Sequence, residues 1–62
     1  MRDVAPPAMP DSVDAAEDAA LRILRGAGQS AAGLQRKLER RGYSAEAAGG
    51  AVRRCANAGY IN

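Results

Sequence analysis

The sequence contains no histidine, tryptophan or phenylalanine, and it has a single cysteine, Cys55. Without histidine, the chain can supply neither the four ligands of a structural zinc site nor a Cys-His nucleophile pair. Ser30 and Ser44 also lack an imidazole to activate them, so we expect both to be helix caps. These absences predict a protein that is not an enzyme and that has no metal, no other cofactor and no small-molecule substrate.

The chain is also poor in large apolar side chains. Fifteen of its 62 residues are alanine, and they account for much of the 47% hydrophobic content. A single domain of this size rarely reaches more than roughly 3–5 kcal/mol of stability from its core. One cysteine cannot form an internal disulfide, and no apolar run approaches the roughly 18 residues of a membrane span. We therefore expect a small cytoplasmic domain without a membrane partner.

All three prolines lie in the first ten residues, which show no periodic apolar pattern. Residues 1–11 are predicted to be a disordered, Pro-rich leader that folds onto nothing. Beyond them, apolar residues recur at steps of three and four, and no segment alternates as a strand does. The fold class predicted for residues 12–62 is all-α, a small three-helix bundle with helices at about 12–25, 31–41 and 45–58.

Caps and apolar stripes define these helices. Asp11 or Ser12 can cap the first helix, while Ser30 and Ser44 can cap the second and third. Arginines near the end of the first helix suit the negative end of the helix dipole, and carboxylates in its opening turns suit the positive end. The expected inward residues are Val13, Ala16, Ala20, Ile23 and Leu24 in the first helix, Ala31, Leu34 and Leu38 in the second, and Ala48, Val52 and Cys55 in the third.

Glycines mark the predicted ends of the second and third helices. If Gly42 takes the left-handed conformation, Tyr43 follows it and packs on the residue five places back in a Schellman motif. The same rule makes Gly59 the end of the third helix and predicts packing for Tyr60. Gly49 and Gly50 lie in the middle of the third helix, where together they cost about 2 kcal/mol relative to alanine. We expect that helix to fray or bend there.

Charge is divided unevenly along the chain. Residues 1–18 carry a net charge of −4, whereas residues 19–62 carry +6. Like-charged side chains four residues apart repel each other by a few tenths of a kcal/mol, so a cluster of them favours a negatively charged partner over a merely solvated face. The candidate partner-binding residues are Arg36, Lys37, Arg40 and Arg41 in the second helix, with Arg53 and Arg54 extending the surface onto the third.

Sequence-specific DNA recognition does not fit this pattern. In a helix-turn-helix motif, the N-terminal half of the recognition helix reads bases. The third helix of this chain would take that place, and its N-terminal half is "AEAAGGAV". It offers no Arg, Asn or Gln side chain to a base edge. The sequence leaves two kinds of partner as alternatives, DNA phosphates and an acidic protein groove.

Residues 19–62 resemble the first three-helix repeat of RecX-family proteins, bacterial regulators of the RecA recombinase. The resemblance depends on "ALRIL" in the first helix, Ser30, "LQRKLERRGY" from 34 to 43, "AGYIN" at the close, and the spacing between them. It implies a regulator that binds RecA, or its filament on single-stranded DNA, and inhibits recombinase activity in recombination, DNA repair and the SOS response. The family carries three such repeats in tandem and this chain has one, so we expect a truncated, single-repeat form.

Two alternatives use the same residues differently. A nucleic-acid-binding module without sequence preference would place the basic side chains on DNA phosphates and would not need RecA. A small protein-interaction bundle similar to ubiquitin-associated domains is a weaker match, because the Gly-Tyr turn of those domains follows the first helix. Here Gly42 and Tyr43 follow the second helix.

Overall fold

Three α-helices follow one another in the computed structural model, which describes residues 7–26 and 28–61. They are α1 (Val13–Gly26), α2 (Ala31–Arg40) and α3 (Ala45–Asn57). The described residues include no strand, so the predicted all-α three-helix class is confirmed. Within these described ranges, no helix is long and apolar enough to cross a membrane.

A serine hydroxyl caps the N-terminus of each helix. The side chains of Ser12, Ser30 and Ser44 each accept a hydrogen bond, 3.1 Å long, from the amide N–H three residues further along. These bonds satisfy one of the amide groups that a helix start leaves without an intrahelical partner. All three predicted caps are confirmed, with Ser12 rather than Asp11 serving α1.

A Schellman motif closes α2. Gly42 has a φ of 112°, and the amide of Tyr43 donates to the Leu38 carbonyl over 3.1 Å. The Tyr43 side chain is partly buried against the core. The left-handed conformation is costly for a residue with a Cβ, which is why glycine ends the helix here. The motif predicted for this end is confirmed.

The end of α3 repeats the backbone pattern but not the packing. Gly59 has a φ of 86°, and the Tyr60 amide donates to the Cys55 carbonyl over 2.9 Å. Cys55 is fully buried, as predicted, yet the Tyr60 residue is 58% exposed. The prediction that Tyr60 is a packing residue is therefore wrong. Its backbone completes the motif while much of its ring stays accessible.

Two contacts show how α1 is aligned with α3. Val13 at the start of α1 faces Gly50, and Glu17 one turn later contacts Arg54. Both positions advance by four residues, so α1 and α3 lie side by side and run in the same direction. The other helix, α2, also packs on α3, and the Gln35 side chain lies beside Gly49.

The core is made mostly of alanine. Its largest fully buried side chains are Leu34, Leu38 and Cys55. Val13, Ile23 and Leu24 of the predicted stripe are only partly buried, and Ala31 is exposed, so its predicted core position is wrong. The complete buried set is Ala16, Ala19, Ala20, Leu34, Leu38, Ala47, Ala48, Ala51, Val52 and Cys55.

The paired glycines do not interrupt α3, which is continuous from Ala45 to Asn57. A Cβ added to Gly50 would lie 3.0 Å from Cγ2 of Val13, closer than ordinary van der Waals contact. Gly50 therefore allows α1 to approach α3 closely. The predicted fraying is wrong, because packing at this position favours a residue without a side chain. The predicted bend stays a prediction.

Part of the predicted leader contacts the helices. Its first six residues lie outside the described part of the chain, but residues 7–10, the N-terminal strap, cross the connection between α2 and α3. A Cβ on Gly42 would lie 2.8 Å from Cδ of Pro7, and the Ser44 amide donates to the Pro10 carbonyl over 2.9 Å. For the strap, the prediction of a segment that folds onto nothing is wrong.

Candidate anion-binding surface

Three basic residues of α2 are exposed, and a fourth exposed one, Arg41, caps its C-terminal end. Leu34 and Leu38 bury one side of the helix, and at 100° per residue Arg36 and Arg40 project from the opposite side. Lys37 extends this surface along one flank, and all of these cations are exposed. We call Arg36, Lys37, Arg40 and Arg41 the α2 basic face.

In the described residues, no cation of the α2 basic face forms an ion pair. The ion pairs found there both involve Arg54, and none involves a cation of α2. Glu39 is the carboxylate nearest in sequence, but it accepts a hydrogen bond from Nε2 of Gln35 over 3.1 Å. The cations of α2 are therefore available to an outside anion.

Arg53 and Arg54 point in different directions because consecutive helical residues diverge by 100°. Arg53 is exposed and lies four residues after Gly49, on the strip of α3 that faces α2. Nη1 of Arg54 instead lies 2.5 Å from Oδ1 of Asp14 and 3.1 Å from Oε1 of Glu17. The structure thus brings Arg53 toward the α2 side of the molecule and turns Arg54 toward α1.

The carboxylates beside Arg54 stabilise the charged form of its guanidinium. Its hydrogen bond to Asp14, and then that to Glu17, raises the pKa of the guanidinium above its ordinary value. Sequence reasoning explained these carboxylates by the helix dipole and missed the pair. Asp14 and Arg54 are 40 residues apart, and no local signal connects them. Only the register of α1 against α3 does so.

A shallow groove of about 210 Å³ borders the α2 basic face on its α3 side. Its lining residues are Ala32, Gln35, Arg36 and Glu39. Arg36 places guanidinium donors beside an amide and a carboxylate at this edge. The groove can accept a polar group of a partner whose negative charge meets the adjoining cations.

The contacts of the cysteine and of the capping serines indicate structural roles. Cys55 is fully buried, and this burial raises the pKa of its thiol, with a further contribution from the negative charge of Glu17. A raised pKa keeps the thiol in its unreactive protonated form. The hydroxyls of Ser30 and Ser44 already accept capping bonds. In the described residues, the feature best suited to recognition is accordingly the exposed positive charge on α2.

Comparison with known proteins adds no relative to this picture, since no family model, curated protein or solved structure matches the chain.

Proposed function

We propose that this chain is a RecX-like regulator that binds RecA, or the RecA filament on single-stranded DNA, through the α2 basic face and Arg53. The observation that carries the proposal is the lack of an internal ion-pair partner for the α2 cations in the described residues. Arg54 shows that this chain does pair an arginine with carboxylates where they are within reach. The α2 basic face instead keeps like charges crowded and exposed.

The resemblance to RecX proteins supplies the identity of the partner. A nucleoprotein filament presents both acidic protein side chains and DNA phosphates, and exposed guanidinium groups bind either of them. Segregated charge also speeds the encounter with such a polyanion. Binding of this kind limits the recombinase by occupancy and requires no chemical step.

The second candidate is a nucleic-acid-binding module without sequence preference. It is favoured by the same free cations, and the exposed start of α3 agrees with the lack of base readout. Ala45 and Glu46 are the exposed residues there, and neither donates a hydrogen bond to a base edge. Such a module would bind DNA phosphates directly, with an affinity that falls steeply as salt rises.

A binding titration separates the two candidates. Labelled protein is titrated with bare single-stranded DNA and with RecA filaments assembled on the same DNA, at two salt concentrations. A RecX-like regulator binds the filament at least about tenfold more tightly than the bare DNA, a difference of about 1.4 kcal/mol. Equal affinity for both ligands would favour the general module and contradict the proposed function.

Variants then test the surface. Replacing Arg36, Lys37, Arg40 and Arg41 together by glutamine should abolish filament binding while far-UV circular dichroism stays unchanged, because these side chains are exposed. Arg40→Gln and Arg22→Gln form a matched pair, since each removes one exposed arginine from a helix. We expect only the Arg40 variant to weaken binding by more than twofold. Filament binding that survives the fourfold substitution would defeat the proposed contact surface.

A further inference from the structure

Two large hydrophobic residues are exposed in the described part of the chain, and they lie near opposite ends of α1. Met9 precedes the helix and is 62% exposed, whereas Tyr60 lies beside its C-terminal half and is 58% exposed. The 14 residues of α1 separate them by roughly 20 Å along the helix axis. Exposed aromatic and Met side chains are typical of contact surfaces.

Tyr60 forms one wall of an apolar groove with a positive edge. The groove has a volume of about 360 Å³, and its other lining residues are Leu21, Leu24 and Arg25. Both leucines are only partly buried, and Arg25 is exposed. The groove therefore fits an apolar side chain that has a carboxylate next to it.

Met9 is such a side chain. The Ser12 amide donates to the Met9 carbonyl over 3.1 Å, and Ser44 holds the neighbouring Pro10 carbonyl, so the residue is presented from an ordered turn. Asp11 and Asp14 follow it, and both are exposed. Asp11 lies in the same turn, which places negative charge beside an exposed apolar side chain at this end of the molecule.

We propose that two copies of this chain associate head to tail, with Met9 of one copy entering the groove of the next and Asp11 meeting Arg25. The two surfaces match in apolar character and in charge, and they lie at different ends of α1. Such a contact is heterologous, because it joins two different surfaces. Each pair keeps one free Met9, which we call the knob, and one free groove, so the association can propagate. The surface is small, which predicts weak, concentration-dependent association.

This inference is independent of the proposed function. The α2 basic face contributes no residue to either surface, so loss of filament binding and loss of self-association require different substitutions. Arg53→Glu serves as the charge-matched control for Arg25→Glu in self-association.

Sedimentation velocity over a concentration series, up to millimolar protein, tests the contact. Met9→Gln removes the knob and Tyr60→Ser removes one wall of the groove, and each substitution should weaken self-association about tenfold or more. An equal mixture of the two variants keeps one intact knob and one intact groove. The mixture should form pairs that do not grow further, whereas the unaltered chain continues to larger species.

Exchanging the charges provides a second arm. Asp11→Lys and Arg25→Glu should each abolish association, and mixing these two variants should restore it, because every contact between unlike variants again joins opposite charges. Unchanged far-UV circular dichroism confirms that each variant is folded, and Arg53→Glu should associate as the unaltered chain does.

Three results would overturn the inference. The first is a chain that stays monomeric across the whole series. The second is association that the Tyr60 variant loses and the Met9 variant keeps, which indicates a symmetric contact between grooves. The third is a mixture of complementary variants that fails to pair. An acidic peptide that bound the groove of a strictly monomeric chain would assign it to a different partner.

Discussion

At the scale of single residues, two adjacent glycines in α3 have different surroundings. A Cβ added to Gly49 would lie 3.9 Å from Nε2 of Gln35, an ordinary contact. The same atom on Gly50 would lie 3.0 and 3.1 Å from the two Cγ atoms of Val13. The intrinsic gain from replacing a helical glycine by alanine is about 1 kcal/mol at either position. Packing against α1 decides how much of this gain in stability remains at each position.

Gly49→Ala should therefore stabilise the protein by about 0.5–1 kcal/mol, and Gly50→Ala should be at least about 1 kcal/mol less favourable than that. Urea denaturation followed by circular dichroism measures both free energies of unfolding. Adding Val13→Ala to Gly50→Ala removes the crowded methyl groups, so the pair should be less destabilising than the sum of the two single changes. Equal effects of alanine at both glycines would contradict the close approach of α1 and α3.

The buried thiol makes stability depend on alkaline pH. Burial, and then the charge of Glu17, raises the pKa of Cys55 above its ordinary value of 9.0. The folded state thus holds the thiol proton more tightly than the unfolded state does. This contribution to stability is complete below the unfolded-state pKa and is lost as pH rises through that value toward the folded-state pKa.

The free energy of unfolding should accordingly fall more steeply with pH in the unaltered chain than in Cys55→Ala, starting near pH 8.5. The limiting difference in slope is about 1.4 kcal/mol per pH unit. Denaturation curves at several pH values from about 7 to 10.5 measure it, and the comparison with Cys55→Ala isolates the contribution of the thiol. Parallel curves for the two proteins would show that the Cys55 thiol titrates equally in both states.

At the scale of elements, the connection between α2 and α3 is held from two sides. The Schellman motif fixes Gly42 from the α2 side, and the strap packs on it through Pro7. Gly59 has the same left-handed backbone, but a Cβ there would meet open space. The two glycines thus separate the cost of backbone strain from the cost of a steric clash with the strap.

Gly59→Ala should cost about 1–2 kcal/mol, the penalty for a left-handed residue with a Cβ. Gly42→Ala should cost more, because its Cβ would also lie 2.8 Å from Cδ of Pro7. Thermal unfolding compares the two variants. Combining Gly42→Ala with Pro7→Gly should bring its cost down toward that of Gly59→Ala. If the Pro7 change has no effect in that background, the strap does not pack on the connection.

At the scale of the whole molecule, stability depends on very few large side chains. Leu34 and Leu38 are fully buried, and most of the remaining core is alanine. Removing a buried leucine side chain costs about 2–5 kcal/mol, while a domain of this size has roughly 3–5 kcal/mol in total. The two magnitudes are comparable, so one truncation in the core can unfold the chain.

Leu38→Ala should leave the protein largely unfolded at 25 °C, as judged by the loss of helical circular dichroism. Leu21→Ala is the matched control, because Leu21 is only partly buried at the edge of the core and its truncation should leave the chain folded. A Leu38 variant with full helicity and a cooperative transition would mean that the alanine contacts carry more of the stability than we infer.

How far the sequence predicts this structure depends on the range of each interaction. Ser30 and Gly42 act on backbone groups within five residues, so their roles as cap and helix end could be read from spacing. Tyr60 follows a terminating glycine just as Tyr43 does, yet Tyr43 packs on the core and Tyr60 lies largely exposed. The difference depends on which helices surround each turn, and no local pattern contains that information.

The candidate surface shows the same division. Helical periodicity places Arg36 and Arg40 opposite the leucines of α2 without any tertiary information. The assignment of Arg54 required the register of two helices that are distant in the sequence, which sets its guanidinium against Asp14 and Glu17. A partner for the basic face stays a prediction for the binding experiments above.

The sequence by itself determined the three helices, their serine caps, their glycine ends and the crowded charge on α2, because each depends on neighbours within one or two turns. Only the tertiary structure decided that Gly50 is a contact point, that the strap packs on Gly42 and that Arg54 belongs to an ion pair. Those features depend on how α1 lies against α3 and how the chain before α1 crosses the α2–α3 connection. Long-range packing of small side chains sets that arrangement, and alanine and glycine carry little local signal of where they pack.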